Sequence, residues 1–238
     1  MLLFFRTPAV YFVHIPKTAG TSMRRMLQRY YGMEHIYPND EILESEFSRE
    51  YPNEKWLIEN RHNLPNYKFL FLHWPLYFKN NLQRRHKTAF FVREPVQRTL
   101  SVLVDASVRF NRSIEDLLKD NNFLSDYLID IQTRFLGAEN LYEFRHNRES
   151  INLNKTISKI KNVHFIGVTE LFHESCLIFD KTFGTKIVDI QMKENVLRKD
   201  QNELMKYANQ ILPMIEKDQI LYENITAIFK KRLNKVLS

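Results

Sequence analysis

The stretch Ala9-Val10-Tyr11-Phe12-Val13-His14-Ile15-Pro16-Lys17-Thr18-Ala19-Gly20-Thr21-Ser22 decides the fold. Its first five residues form an apolar run and read as a strand. Residues 23–31 have helical spacing: Met23, Met26, Leu27 and Tyr30 recur at i, i+3, i+4 and i+7, and Arg24, Arg25, Gln28 and Arg29 take the other face. The order is strand, short loop, helix, with Thr21 or Ser22 suited to the N-cap. A loop at a helix N-terminus offers unpaired N–H groups and the positive end of the dipole, which together attract an anion. Lys17 adds a point charge, and Thr18, Thr21 and Ser22 add hydroxyl donors. Gly20 lets the backbone approach closely. This chemistry suits a phosphate or sulfate group. The plainer alternative is a capped turn with a surface lysine. The loop is not a Walker A sequence, because Lys17 comes first and no glycine precedes it.

A second cluster repeats the arrangement. Lys87-Thr88-Ala89-Phe90-Phe91-Val92 reads as a buried strand, followed by Arg93-Glu94-Pro95 and a helix with Val96, Leu100, Leu103, Val104 and Val108 on its apolar stripe. Pro95 suits the first helical position. Arg98 and Ser101 share a face at i, i+3. Two strand-loop-helix units thus carry cations and hydroxyls where a strand ends, which is where ligands bind in open α/β sheets.

HIPKTAGTS followed by REPVQRTLSVL resembles the paired signatures of sulfotransferases that use 3'-phosphoadenosine-5'-phosphosulfate (PAPS). Phe69-Leu70-Phe71-Leu72-His73 resembles the family's strand ending in a catalytic histidine. Gln132-Thr133-Arg134-Phe135-Leu136, the run Phe165 to Phe172, and Asp218 with Leu221-Tyr222 resemble its later landmarks. The branch most similar contains bacterial carbohydrate sulfotransferases and heparan sulfate 2-O-sulfotransferases. The resemblance covers residues 9 to 230. It implies that Lys17, Thr18, Ala19, Gly20, Thr21 and Ser22 cradle the 5'-phosphosulfate and that Arg93 and Ser101 hold the 3'-phosphate. It makes Lys17 and His73 the catalytic pair, with His62 and His86 as weaker candidates for the base. Two departures stand out: Leu72 replaces the glycine often found before the histidine, and Glu94 replaces an aspartate. Asn195, Arg198 and Lys199 fall where the family brings a late loop over the nucleotide.

Alternating strands and helices imply a P-loop-like three-layer α/β fold, with a central, mainly parallel sheet flanked by helices. The expected organisation is one domain, residues 1–238. Residues 38–66 read as a solvated helix and loops. Residues 113–136, 150–161 and 200–236 read as helices, and 163–167 as a strand with Thr169 capping the next helix. The net charge of +7 favours anionic ligands without identifying them. The lone Cys176 forms no intrachain disulfide, reads as a buried thiol, and with scattered histidines gives no zinc set. Met1-Leu2-Leu3-Phe4-Phe5 is too short to span a membrane. The three Asn-x-Ser/Thr sequons at Asn111, Asn154 and Asn224 read as chance without a secretory signal. The expectation is a bacterial, cytoplasmic protein, peripheral at most to the membrane where glycans are assembled. Lys230-Lys231-Arg232 reads as a solvated helix end rather than a nucleic-acid site.

Sulfuryl transfer resembles phosphoryl transfer in relying on positioning and charge stabilisation. Lys17 and backbone N–H groups supply these, and no acidic metal clamp accompanies the loop. The expected reaction passes a sulfuryl group from PAPS to a hydroxyl of a carbohydrate or glycan, leaving 3',5'-ADP. Lys79, Arg84, Arg85 and Lys87 are candidate contacts for an acidic glycan, or a solvated basic loop. Two other readings remain: an ATP-dependent kinase on a P-loop-like scaffold, and a nucleotide-binding protein without catalysis.

Overall fold

The computed structural model describes residues 9–40, 59, 67–82, 86–190 and 204–238. Five strands form one sheet: β1 (Val10–Val13), β2 (Ile36–Tyr37), β3 (Phe69–Leu72), β4 (Lys87–Val92) and β5 (Phe165–Val168). Their order is β2-β3-β1-β4-β5, and every pairing is parallel. The runs VYFV and FLFL are buried at every position, as a sheet covered on both faces requires. Helices flank the sheet, so the expected α/β architecture is the one observed. From β1 the chain goes to one side of the sheet, toward β2 and β3. From β4 it goes to the other side, toward β5. The crevice between the carboxyl ends of β1 and β4 is therefore a topological switch point.

The helices that matter here are α1 (Gly20–Tyr31), α2 (Pro95–Phe110), α3 (Ile131–Gly137), α4 (Leu153–Lys161), α5 (Phe172–Phe183) and α6 (Glu216–Leu237). Both α5 and α6 pack on β5. One core cluster surrounds the sheet. A second lies beneath the apolar side of α2, against Leu117, Leu128, Ile211 and Ile215.

Several local expectations are corrected. The first helix starts at Gly20, and its N-cap is Ala19 in a left-handed conformation (φ 65°) with no side-chain cap. Thr21 and Ser22 lie inside the first turn. Arg24 and Gln28 are buried although the periodicity placed them outside; Arg24 is covered by the segment after β2, where Pro38 O and Asp40 bind it. Val108 ends the predicted apolar stripe but is 74% exposed. Residues 113–136 are not one helix: Ser113 and Asp120 cap new starts, and a π-helical turn occupies Leu124–Leu128. β2 has only two residues, too few for a periodic signal. The expectations for residues 1–8, 41–58 and 60–66 (His62 included), for Arg84 and Arg85, and for Asn195, Arg198 and Lys199 lie outside the described residues.

Candidate active site

The loop between β1 and α1 turns through two left-handed non-glycine residues, Lys17 (φ 67°) and Ala19 (φ 65°). Such backbone costs about 1–3 kcal/mol per residue and tends to concentrate at functional sites. The turn leaves the N–H groups of Gly20, Thr21 and Ser22 without intrahelical acceptors. The Thr18 hydroxyl donates back to Ile15 O (2.9 Å), so its proton faces inward and only its N–H remains for a ligand. That corrects one expected hydroxyl donor. The hydroxyls of Thr21, Ser22 and Ser101 make no hydrogen bond among the described residues. A Cβ on Gly20 would come 2.1 Å from His14 Cδ2 and 2.4 Å from its Nε2. The glycine therefore clears space for the buried His14 ring, a role the sequence did not suggest.

Arg93 follows β4 at the switch point. Its N–H donates to Gln132 Oε1 and its carbonyl accepts from Gln132 Nε2, both at 2.9 Å. Its half-buried guanidinium has Nη1 3.5 Å from Lys17 O, a long contact that joins the two loops. Glu94 is an effective cap despite its extra methylene: its carboxylate accepts from Val96 N (3.1 Å) and Gln97 N (2.7 Å). Its own N–H donates to Glu170 Oε1. Thr169 does not cap a helix but donates its hydroxyl to Val92 O. Gln132, Thr169 and Glu170 thus fix the Arg93 loop from two later segments, a role that only the fold reveals.

Arg98 is fully buried behind the first loop. Its Nε donates to Pro16 O (3.2 Å) and its Nη2 to Tyr127 O (3.0 Å). Nη1 is buried with no partner among the described residues. Burial pulls its pKa down to about 10, against the pull of Asp218. Among the described residues, a cation without a carboxylate in contact therefore underlies the loop.

Because Val13 pairs with Leu72, His14 and His73 leave neighbouring strands side by side. Their rings stack at 4.2 Å and 21°. The Tyr11 hydroxyl supports the turn after His73, reaching Trp74 O (2.7 Å) and Pro75 O (3.0 Å). Burial holds the His73 pKa down at about 4, partly opposed by a hydrogen bond to the His14 backbone and reinforced by Arg24 and Arg109. His14 is pushed well below the usual range by burial, with His73 and Arg24 adding to it. Both rings are neutral at pH 7. Arg24 is anchored by Asp40 (2.8 Å) and Pro38 O (3.0 Å).

Lys17 Nζ lies 3.2 Å from Asp105 Oδ1, and Arg109 Nη2 lies 2.9 Å from Asp105 Oδ2. The sequence reading passed over Asp105, although it sits four residues beyond Ser101 on the same helix face. His86 and Lys87 stand at the opposite edge of the sheet, where Lys87 pairs with Val10. Neither reaches the carboxyl ends of the strands, so His86 is removed as a base and Lys87 as a contact beside His73. Lys79 and Lys87 both act electrostatically on His164, at that same far edge. Arg232 donates to Lys161 O and His164 O, tying the end of α4 to α6. Cys176 is buried, and burial pushes its thiol up to about 12.

Among the described residues no helix is long and apolar enough to cross a membrane, and no three His, Cys, Asp or Glu side chains are grouped to hold a metal. No curated protein matches the chain. Residues 2–230, which include both loops, His73 and the segments that fix Arg93, match the sequence model of the Sulfotransferase family, and the chain belongs to that family.

Proposed function

We propose that this sulfotransferase acts as a single catalytic domain over residues 1–238, taking its sulfuryl group from PAPS and delivering it to a carbohydrate hydroxyl. The observation that carries this reading is convergence. The Lys17 loop, Arg93 and the neutral His73 leave β1, β4 and β3, three adjacent strands, at one edge of the sheet. The buried Arg98 Nη1, unpartnered among the described residues, and the free first-turn amides of α1 fit an anionic donor. In the reaction the acceptor oxygen attacks sulfur as its proton passes to the neutral His73 imidazole. The sulfur–oxygen bond to the 5'-phosphate breaks, and its electron pair leaves on that phosphate, giving 3',5'-ADP. Lys17 meets the charge growing on the departing oxygen. Arg93 and Ser101 hold the 3'-phosphate, the arginine through a charge-assisted bond.

Thermal unfolding tests the donor. At a hundredfold excess over its dissociation constant, 3',5'-ADP should add about 2.7 kcal/mol of stability. ATP at the same concentration should add less, lacking the 3'-phosphate. Equal shifts would reject the PAPS assignment. Transfer from labelled PAPS to a panel of cell-surface glycans tests the acceptor. His73→Ala should lower that transfer by roughly 10²–10⁴ with nucleotide affinity retained. A folded His73→Ala variant with parental rates would remove His73 from the chemistry.

A further inference from the structure

Lys17 is restrained at both ends. Its backbone is left-handed, its carbonyl faces Arg93 Nη1, and its ammonium rests against Asp105. Asp105 lies on α2 with Arg98 and Ser101 on the same side of the helix, toward the loop. Its carboxylate bridges two cations, one oxygen to Lys17 and the other to Arg109. A carboxylate in this position carries the same sign of charge as the donor's phosphosulfate. An anionic donor that engages Lys17 must take the ammonium away from it. Arg109 then keeps Asp105 compensated, so the exchange leaves no isolated charge. Both partners are partly exposed, Lys17 at 27% and Asp105 at 38%, and such pairs are weak enough to exchange readily.

We infer that Asp105 is a positioning residue that holds the Lys17 ammonium at the mouth of the loop and competes with the donor for it. This rests on the donor reading above. Calorimetric titration of 3',5'-ADP into the parent, Asp105→Asn, Asp105→Glu, Lys17→Ala and the Lys17→Ala/Asp105→Asn double variant tests it. Asp105→Asn should tighten binding roughly two- to fivefold, the range expected for freeing one partner of an exposed pair. Asp105→Glu keeps the charge and should bind like the parent. In the Lys17→Ala background the Asn substitution should give no gain, because the contested ammonium is gone. An unchanged or weakened Asp105→Asn complex, a gain with Asp105→Glu, or an equal gain without Lys17 would overturn the inference. The last result would assign the effect to general repulsion instead. Failure of the parent itself to bind 3',5'-ADP would reject the donor reading.

Discussion

Gly20 and His14 constrain one another. The His14 ring is buried, stacked on His73, and lies where a side chain at position 20 would begin. Gly20→Ala should therefore destabilise the protein by roughly 1–3 kcal/mol, the usual cost of overpacking, although alanine is the better helix former. Thermal melts check this. His14→Ala in the same chain should recover part of the loss, and no recovery would place the strain elsewhere. The same two rings set a pH dependence. Unfolded histidines take up protons near pH 6.5, whereas in the fold His73 stays neutral to about 4 and burial holds His14 well below the usual histidine range as well. The unfolded state binds more protons in that window, so stability falls as pH drops from about 6.5 toward 4. Asp218, raised to about 6 by burial, opposes this. Its folded form gains a proton earlier than its unfolded form, as does that of Asp130, also raised by burial, while His164, lowered by burial, adds to the two stacked imidazoles. Urea denaturation of the parent at successive pH values should show the decline, and His73→Gln should flatten it.

At the scale of elements, α6 holds α3 and α3 holds the Arg93 loop. α3 begins after Asp130, a left-handed residue whose side chain does not cap it. The cap comes from a distant segment: Asp218 on α6 accepts from Gln132 N (3.1 Å) and Thr133 N (2.6 Å), while Asp218 N donates to Asp130 Oδ1. Gln132 then clamps both backbone polar groups of Arg93. Asp218→Ala would leave two buried amides without acceptors and should cost roughly 2–4 kcal/mol. Gln132→Ala should cost less stability, about 1–2 kcal/mol, yet weaken 3',5'-ADP binding because the arginine loses its support. Calorimetry on the folded Gln132→Ala protein decides this: parental affinity would mean that the loop holds itself. None of these links has a local sequence signal. Gln132 and Asp218 were visible only as landmarks of a resemblance, since a bond across 86 positions leaves no periodicity. By contrast, β1, β3, β4 and the helices after the two loops were legible because each is a long apolar or periodic run.

Over the whole molecule, the parallel order brings Lys17, Arg24, Arg93, Arg98 and Arg109 to one edge of the sheet. The sequence distributes these five cations across 93 positions. Their convergence follows from strand order, which alternating elements suggest but do not specify. The placement of Lys87 and His86 at the opposite edge was missed for the same reason. The convergence matters for the base. Burial first, then Arg24 and Arg109, keep His73 at about 4, low for the general base proposed above, which would accept a proton near neutral pH. In the proposed reading, a bound donor brings several negative charges to that edge and opposes the field of these cations. An anion near an imidazole favours its charged form. At about 8 Å and an effective dielectric of 20, one unit charge contributes about 2 kcal/mol, more than one pK unit. The His73 imidazole should therefore titrate at least about one unit higher with saturating 3',5'-ADP than in the protein alone, as read from its ring proton shifts by NMR. The acid limb of kcat, which reports the donor-loaded enzyme, should follow the higher value. An unchanged or lowered midpoint would mean that the nucleotide's charges do not face His73, and the base would then have to be sought elsewhere at the carboxyl edge.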